Sequence, residues 1–292
     1  MNSNPPAIAS LVLPWPMRGP FANVILSFVA SLILIAVGNL ACAADKSSNK
    51  KVLLLSQSPD GHPAMTHEYA AGLRVLESCL HTVRGVEVTH VCADNPWTEG
   101  PEMIRQTDCV VVFLSEGARW MHEDPRRLEA FAQLAARGGG FITLHWGMGT
   151  KEARYVNGYL KLFGGCHGGP DRKYKVLDAE LAIATPHHPV TSGMQDFAIH
   201  DEFYYELKFV SAEKHLTTIL ATEIEGTTQS VAWAWERGDG GRSFGFSGCH
   251  FHENWQRAEY RRLMTQAVLW SLQLPVPEDG IDVDIVAFGE ER

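Results

Sequence analysis

Apolar positions along the chain fall into two rhythms. In the first half, short unbroken apolar runs alternate with stretches at helical spacing. "KVLLLS" (51–56) is a run of the buried-strand kind, and "HEYAAGLRVLESCL" (67–80) sets Tyr69, Leu73, Leu76 and Leu80 about a turn apart, which predicts a helix. "VEVTHVCA" (86–93) and "DCVVVFL" (108–114) predict two more strands. A helix is predicted from Pro125 to Arg137 with Asp124 as its cap, followed by the strand "GFITLH" (140–145). Strands without alternation, separated by helical patterns or crossovers, predict a parallel sheet covered on both faces.

The second half alternates. "YKVLDAELAI" (174–183) is one such segment, and "DEFYYELKFV" (201–210) puts Phe203, Tyr205, Leu207 and Phe209 on one face and Glu202, Tyr204, Glu206 and Lys208 on the other. "QSVAWAWER" and "GRSFGFSG" flank "GDG" as a hairpin. The last helix, "ENWQRAEYRRLMTQAVLWSLQL", carries Tyr260, Leu263, Ala267 and Trp270 on one stripe, and Pro275 and Pro277 follow it. With no repeat and no linker between the halves, residues 51–274 read as one α/β domain with a C-terminal tail, 275–292.

The start of the chain is different. Arg18 precedes the apolar run "FANVILSFVASLILIAVGNL" (21–40) and an A-x-A site at Ala41 and Ala43, which predicts a cleaved signal peptide over 1–43 and a linker over 44–50. Export to the periplasm or medium is the expectation; an uncleaved anchor through residues 21–40 is the alternative, and the only route to a membrane. The composition, 45% hydrophobic and 20% charged, is that of an ordinary globular protein. With 25 Lys+Arg against 34 Asp+Glu and no basic block, nucleic acid is a poor partner. Loss of Cys42 with the signal leaves an odd number of cysteines, so at least one thiol is free unless chains cross-link. No C-x-x-C spacing supports a zinc knuckle or thioredoxin-like site.

Candidate chemistry gathers where strands end. In open parallel sheets, ligands bind outside the carboxyl ends of the strands. There the sequence delivers His62 and His67 after the first strand, Ser115 and Glu116 after the third, His145 and Trp146 after the fourth, and His250 and His252 after "SFGFSG". His167 in "FGGCHGGPD" and His188 in "HHPV" lie in loops with turn chemistry. The ligand types fit a divalent metal such as zinc, with His62, His67, His145, His250 and His252 as candidates, although no compact motif such as H-E-x-x-H occurs. "HDEFYYE" supplies Glu202 and Tyr204 for proton transfer, against the alternative of a solvated strand face; Asp201 reads equally as a strand-end hydrogen-bonding residue. Trp146 is the tryptophan placed to stack on a sugar.

"GHPAMTHEY", "GGGFITLHWG", "FGGCHGGP", "HHPVTSGM", "DEFYYEL" and "VAWAWERGDGGRSFGFSGCH" occur in this order, and together they resemble the ThuA-like (trehalose utilisation) family. The resemblance implies a flavodoxin-like, doubly wound, mostly parallel sheet of the class I glutamine amidotransferase kind, with added antiparallel strands. It also implies a role in trehalose, glucoside or 3-keto-sugar metabolism. It places His62, His145, His167, His188, Asp201, Glu202, Tyr204 and His250 on recurrent polar positions. An amidotransferase needs a cysteine at the turn after the central strand, where this chain has His145, so glutamine hydrolysis by the usual triad is not expected.

The leading expectation is thus a hydrolase or lyase acting on glucosides or keto-sugars. In it His145, Glu202, His250 and Tyr204 do acid–base work, while His62, Trp146, His167, His188, Asp201 and His252 bind the small-molecule sugar. A non-catalytic sugar-binding or scaffold module and a metal-dependent hydrolase are the alternatives; a homo-oligomer stays open.

Overall fold

The computed structural model describes residues 49–211 and 215–283. The predicted signal peptide, the anchor alternative and the last nine residues lie outside the described residues. In chain order the elements are β1 (Lys50–Ser56), α1 (Tyr69–His81), β2 (Val86–Cys92), α2 (Gly100–Arg105), β3 (Cys109–Val112), α3 (Gly117–Glu123), α4 (Pro125–Ala136) and β4 (Gly140–Leu144). There follow β5 (Gly149–Thr150), α5 (Ala153–Phe163), β6 (Gly165–Gly168), β7 (Lys173–Ile183), β8 (Phe197–Tyr205), β9 (Lys208–Phe209), β10 (Leu216–Ile224), β11 (Thr227–Glu236), β12 (Arg242–Phe246) and α6 (Ala258–Ser271).

One nine-stranded sheet runs β2-β1-β3-β4-β12-β11-β10-β7-β8. Its first five strands pair in parallel, in the spatial order 2-1-3-4-5 that defines flavodoxin-like sheets. From β12 outward all pairings are antiparallel. This is the doubly wound sheet with an antiparallel extension that the sequence predicts. A small second sheet, β5-β6-β9, lies beside it. The unbroken apolar runs are explained by burial on both faces. Val52 and Leu54 of β1 join one core cluster with Leu73, Leu76 and Leu263, whereas Leu53 and Leu55 join another with Phe131, Leu134 and Phe163.

Local departures from the predicted pattern have physical causes. The helix predicted from residue 67 begins at Tyr69, because His67 has a left-handed φ of 53°. The strand predicted over 201–210 starts earlier, at Phe197, and stops at Tyr205; Glu206 turns the chain at φ 50°, and Lys208–Phe209 pairs with β6 instead. The last helix starts only at Ala258, since His252–Gln256 forms a 3-10 turn. Asp124 caps α4 as expected, accepting from the Arg126 backbone N–H at 2.9 Å. Beyond Leu274 the chain packs back on α6: Arg261 Nε donates to the Val283 carbonyl at 3.0 Å and Arg262 Nε to that of Ile281 at 2.9 Å. The five described cysteines are all unpaired thiols. Among the described residues no helix is long and apolar enough to cross a membrane.

The turn after β4 is pressed against its neighbours. A Cβ on Gly147 would lie 2.4 Å from the Val112 carbonyl oxygen, and one on Gly117 2.0 Å from that of Gly147. Backbone cannot rotate away as a side chain can. Gly147→Ala is therefore expected to destabilise the fold by about 1–3 kcal/mol or more, the usual cost of overpacking. Urea unfolding measures it, and an unchanged midpoint would show that the turn can give way.

Candidate active site

The β4 turn presents His145. Leu144 is extended, His145 adopts a left-handed φ of 46°, and a single 3-10 turn, His145–Met148, reverses the chain. A non-glycine residue in that region is strained and needs its surroundings to hold it there. Part of the hold comes from His145 itself, whose Nδ1 lies 2.9 Å from the Ser247 carbonyl just after β12. A carbonyl only accepts, so the neutral ring carries its proton on Nδ1 and a lone pair on Nε2. The side chain is wholly buried.

His67 arrives from the loop after β1. That loop is zipped to the loop after β12: His67 N donates to the His250 carbonyl at 3.0 Å, His252 N to that of Met65 at 2.9 Å, and Thr66 and Phe251 form an antiparallel bridge. Asp60 orients the ring, with His67 Nδ1 3.1 Å from Oδ2, which also accepts from the Tyr69 hydroxyl at 2.6 Å. His62 Nδ1 lies 2.6 Å from the other oxygen, and the His62 ring stacks on His67 at 3.6 Å. Burial opposes ionisation of Asp60, yet the hydrogen bonds from His67, Tyr69 and His62 hold its carboxyl well below the usual range.

Glu202 and His250 are aimed by Asp201. Its fully buried carboxylate accepts the backbone N–H groups of Glu202 at 2.9 Å, Cys249 at 3.0 Å, His250 at 3.1 Å and Phe251 at 3.3 Å, and the Tyr260 hydroxyl at 2.7 Å. Asp201 sits on one face of β8, so Glu202 and Tyr204 point from the opposite face, as the alternation predicts.

These elements bring His67, His145, Glu202 and His250 together, their ligating atoms all within 4.8 Å of one another. His145 Nε2 is 3.1 Å from His67 Nε2, 3.3 Å from His250 Nδ1, 3.0 Å from the Tyr204 hydroxyl and 3.7 Å from Glu202 Oε1. Burial, reinforced by the neighbouring imidazoles, pushes His145 well below the ordinary histidine value and His250 down to about 4. Burial and then the charge of Asp201 push the Glu202 carboxyl up to about 7. Above the cluster opens a pocket of about 360 Å³, within the range of small-molecule sites. Trp146, His167 and Tyr204 form one wall, His167 stacking on Tyr204 at 3.8 Å; burial, then Arg172 and Lys208, lower His167 to about 3. Lys151, Arg172 and Tyr174 also line the pocket, and Tyr174 is 62% exposed.

Of the residues singled out from the sequence, His62, His67, Trp146, His167, Glu202, Tyr204 and His250 line this pocket, and His145 lies directly behind them. Asp201 makes no solvent contact and positions its neighbours instead. His188 and His252 are not brought into the pocket. His188 accepts from the Val190 N–H and packs 4.9 Å from the Trp270 ring, and His252 opens the 3-10 turn before α6. Cys249 is fully buried, and burial pushes its thiol well above the ordinary value, so it offers no thiolate. Sequence reading missed Asp60, whose Asp-Gly pair resembles a turn, and Lys151, Arg172 and Tyr174, which carry no local signal.

Solved structures resemble this fold to differing degrees. A putative ThuA-like protein from Bacteroides uniformis superposes with a TM-score of 0.60 at 14% identity, over 79% of this chain and 94% of that one. The GH42 β-galactosidase Gan42B matches with a TM-score of 0.50 at 11% identity, over 77% of this chain but 30% of its own. A glutaminase domain of Trypanosoma brucei CTPS follows at 0.43 and 10% identity, over 80% of this chain and 99% of that domain. No curated protein sequence matches the chain. The sequence profile of the ThuA family, described as trehalose utilisation, matches residues 51–271. That span holds every strand of the sheet from β1 to β12 except the first residue of β1, together with the whole histidine cluster, and the chain belongs to the ThuA family, as a protein related to trehalose utilisation.

Proposed function

We propose that this chain is an exported enzyme acting on a glucoside or its 3-keto derivative, with Glu202 as the group that moves a proton. The observation that carries the reading is a carboxyl set into a small-molecule-sized pocket between aromatic rings and imidazoles, backed by family membership. In a keto-sugar the carbonyl acidifies the neighbouring C–H, so a carboxylate is a sufficient base. The proton it removes is the one then given to the departing oxygen, and in the reverse addition of water the carboxylate takes a proton from the water and returns it to the carbon. Tyr204, whose hydroxyl lies in the same wall, can accept a hydrogen bond from a sugar hydroxyl while it donates to His145. The apolar run 21–40 followed by Ala41 and Ala43 supports action outside the cytoplasm.

Glu202→Gln keeps the shape of the pocket and removes the titrating group. Turnover of 3-ketoglucosides, followed by mass spectrometry, should fall by about 10²-fold or more; an unchanged rate would eliminate the mechanism. Heat of binding without any product from the unaltered protein would make it a sugar-binding module instead. Tyr174 offers an exposed ring at the pocket, so Tyr174→Ala should raise KM about 5- to 10-fold at nearly constant kcat, the signature of lost uniform binding. The exported protein should begin at Ala44, which its intact mass reports; full-length protein in a membrane fraction would instead indicate the anchor.

A further inference from the structure

Three imidazoles meet beneath the pocket, and two of them bring lone pairs to the same point. Ser247 fixes the ring proton of His145 on Nδ1, and Asp60 fixes that of His67 on Nδ1, so the two Nε2 atoms face each other as acceptors at 3.1 Å. His250 Nδ1 lies 3.3 Å from the same His145 nitrogen. The Tyr204 hydroxyl, 3.0 Å from His145 Nε2, has one proton to offer and leaves the His67 lone pair unmet. Buried acceptors crowded in this way repel unless a positive charge sits among them.

We propose that a divalent transition-metal ion of the zinc type binds at this point, held by His67 Nε2, His145 Nε2 and His250 Nδ1, with Glu202 on its remaining side. Four-coordinate zinc with metal–nitrogen bonds of about 2.0–2.1 Å sets its ligand nitrogens roughly 3.3 Å apart; the measured separations from His145 are 3.1 and 3.3 Å. Glu202 Oε1 is 3.7 Å from both His145 Nε2 and His250 Nδ1, so the carboxylate faces the same point. The partners behind the ligands are those that orient metal-bound histidines, a carboxylate on His67 and a backbone carbonyl on His145. A set of three imidazoles selects a zinc-like ion over magnesium or calcium, which take oxygen ligands. The ligands come from the ends of three different strands, β1, β4 and β12, so the ion would also tie these loops together.

The inference deepens the reading of this pocket as a reaction site but rests on it only for what the ion would do. The test is therefore a binding measurement. Untagged mature protein, stripped with a chelator, is titrated with Zn²⁺ by calorimetry and with Co²⁺ by visible absorption, and its bound metal is counted by elemental analysis. One equivalent is expected, with no competition from excess Mg²⁺. His67→Ala and His250→Ala should each weaken binding more than 100-fold with unchanged circular dichroism. Asp60→Asn, which retains all three ligands, should weaken it about 10- to 100-fold and carries the test if a ligand variant fails to fold. Wild-type protein that takes up no equivalent, or ligand variants that bind as wild type does, would overturn the site. Metal-loaded protein inert towards every sugar would leave the site standing and remove the catalytic reading, whereas metal-free protein that turns over and binds no zinc would do the reverse.

Discussion

The architecture of the site depends on one buried carboxylate. Asp201 is wholly out of solvent, where an isolated charge would be very unfavourable, and it is stabilised by donors from three places. One comes from its own strand, through Glu202 N–H, three from the turn after β12, and one from the Tyr260 hydroxyl on α6. Each donor also has a direction. Accepting from Glu202 and His250 together fixes both backbones relative to one oxygen atom, so the edge strand β8 and the segment after β12 meet at a defined distance. Cys249, at φ 84°, stays in a conformation that a non-glycine residue rarely adopts because its N–H is held by the same group.

A second tie completes the arrangement. The loop after β1 has no strand partner of its own, yet its backbone pairs with residues 250–252, so wherever Asp201 sets His250, His67 follows. His145 is placed by its own turn, through the tight passage of Gly147 past Val112 and Gly117, and is tied to the segment after β12 at the Ser247 carbonyl. The cluster is thus the intersection of two rigid constructions, which is how side chains 183 positions apart come to lie within a few ångströms without a flexible loop to assemble them.

The sheet was legible because its information is local. The runs 51–56, 108–114 and 140–145 are apolar throughout for burial on both faces, and the period-2 pattern of 201–205 separates Asp201 and Phe203 from Glu202 and Tyr204 as the structure does. The break at Glu206 was not legible, since a left-handed glutamate leaves no compositional mark. Short helices such as α2 and α3 show too few turns for periodicity. In the site, strand ends located His67, His145 and His250, because crevice geometry follows from topology, and the alternation of 201–205 located Glu202. Turn chemistry was a poorer guide: His167, expected in a loop, lies in β6, and His188 spends its nitrogen capping a 3-10 turn. Asp60 was hidden for a related reason. A carboxylate before glycine suits a turn, and only the tertiary approach of His67 and Tyr69 makes it an orienting group.

The position of His145 also separates holding from reacting. A left-handed residue at a strand end projects its side chain towards the crevice, which suits an attacking nucleophile as long as the tip remains open. Here the loops after β1 and β12 close over it, leaving the imidazole with no exposure and with neighbours at both nitrogens. A group enclosed in this way cannot meet a sugar atom directly. Glu202, whose side chain keeps 12% of its surface and lines the pocket, can. The turn that would serve a nucleophile in a glutamine amidotransferase is here suited to organising the floor of the site, and in the proposed reaction proton transfer to the substrate falls to the carboxyl beside it.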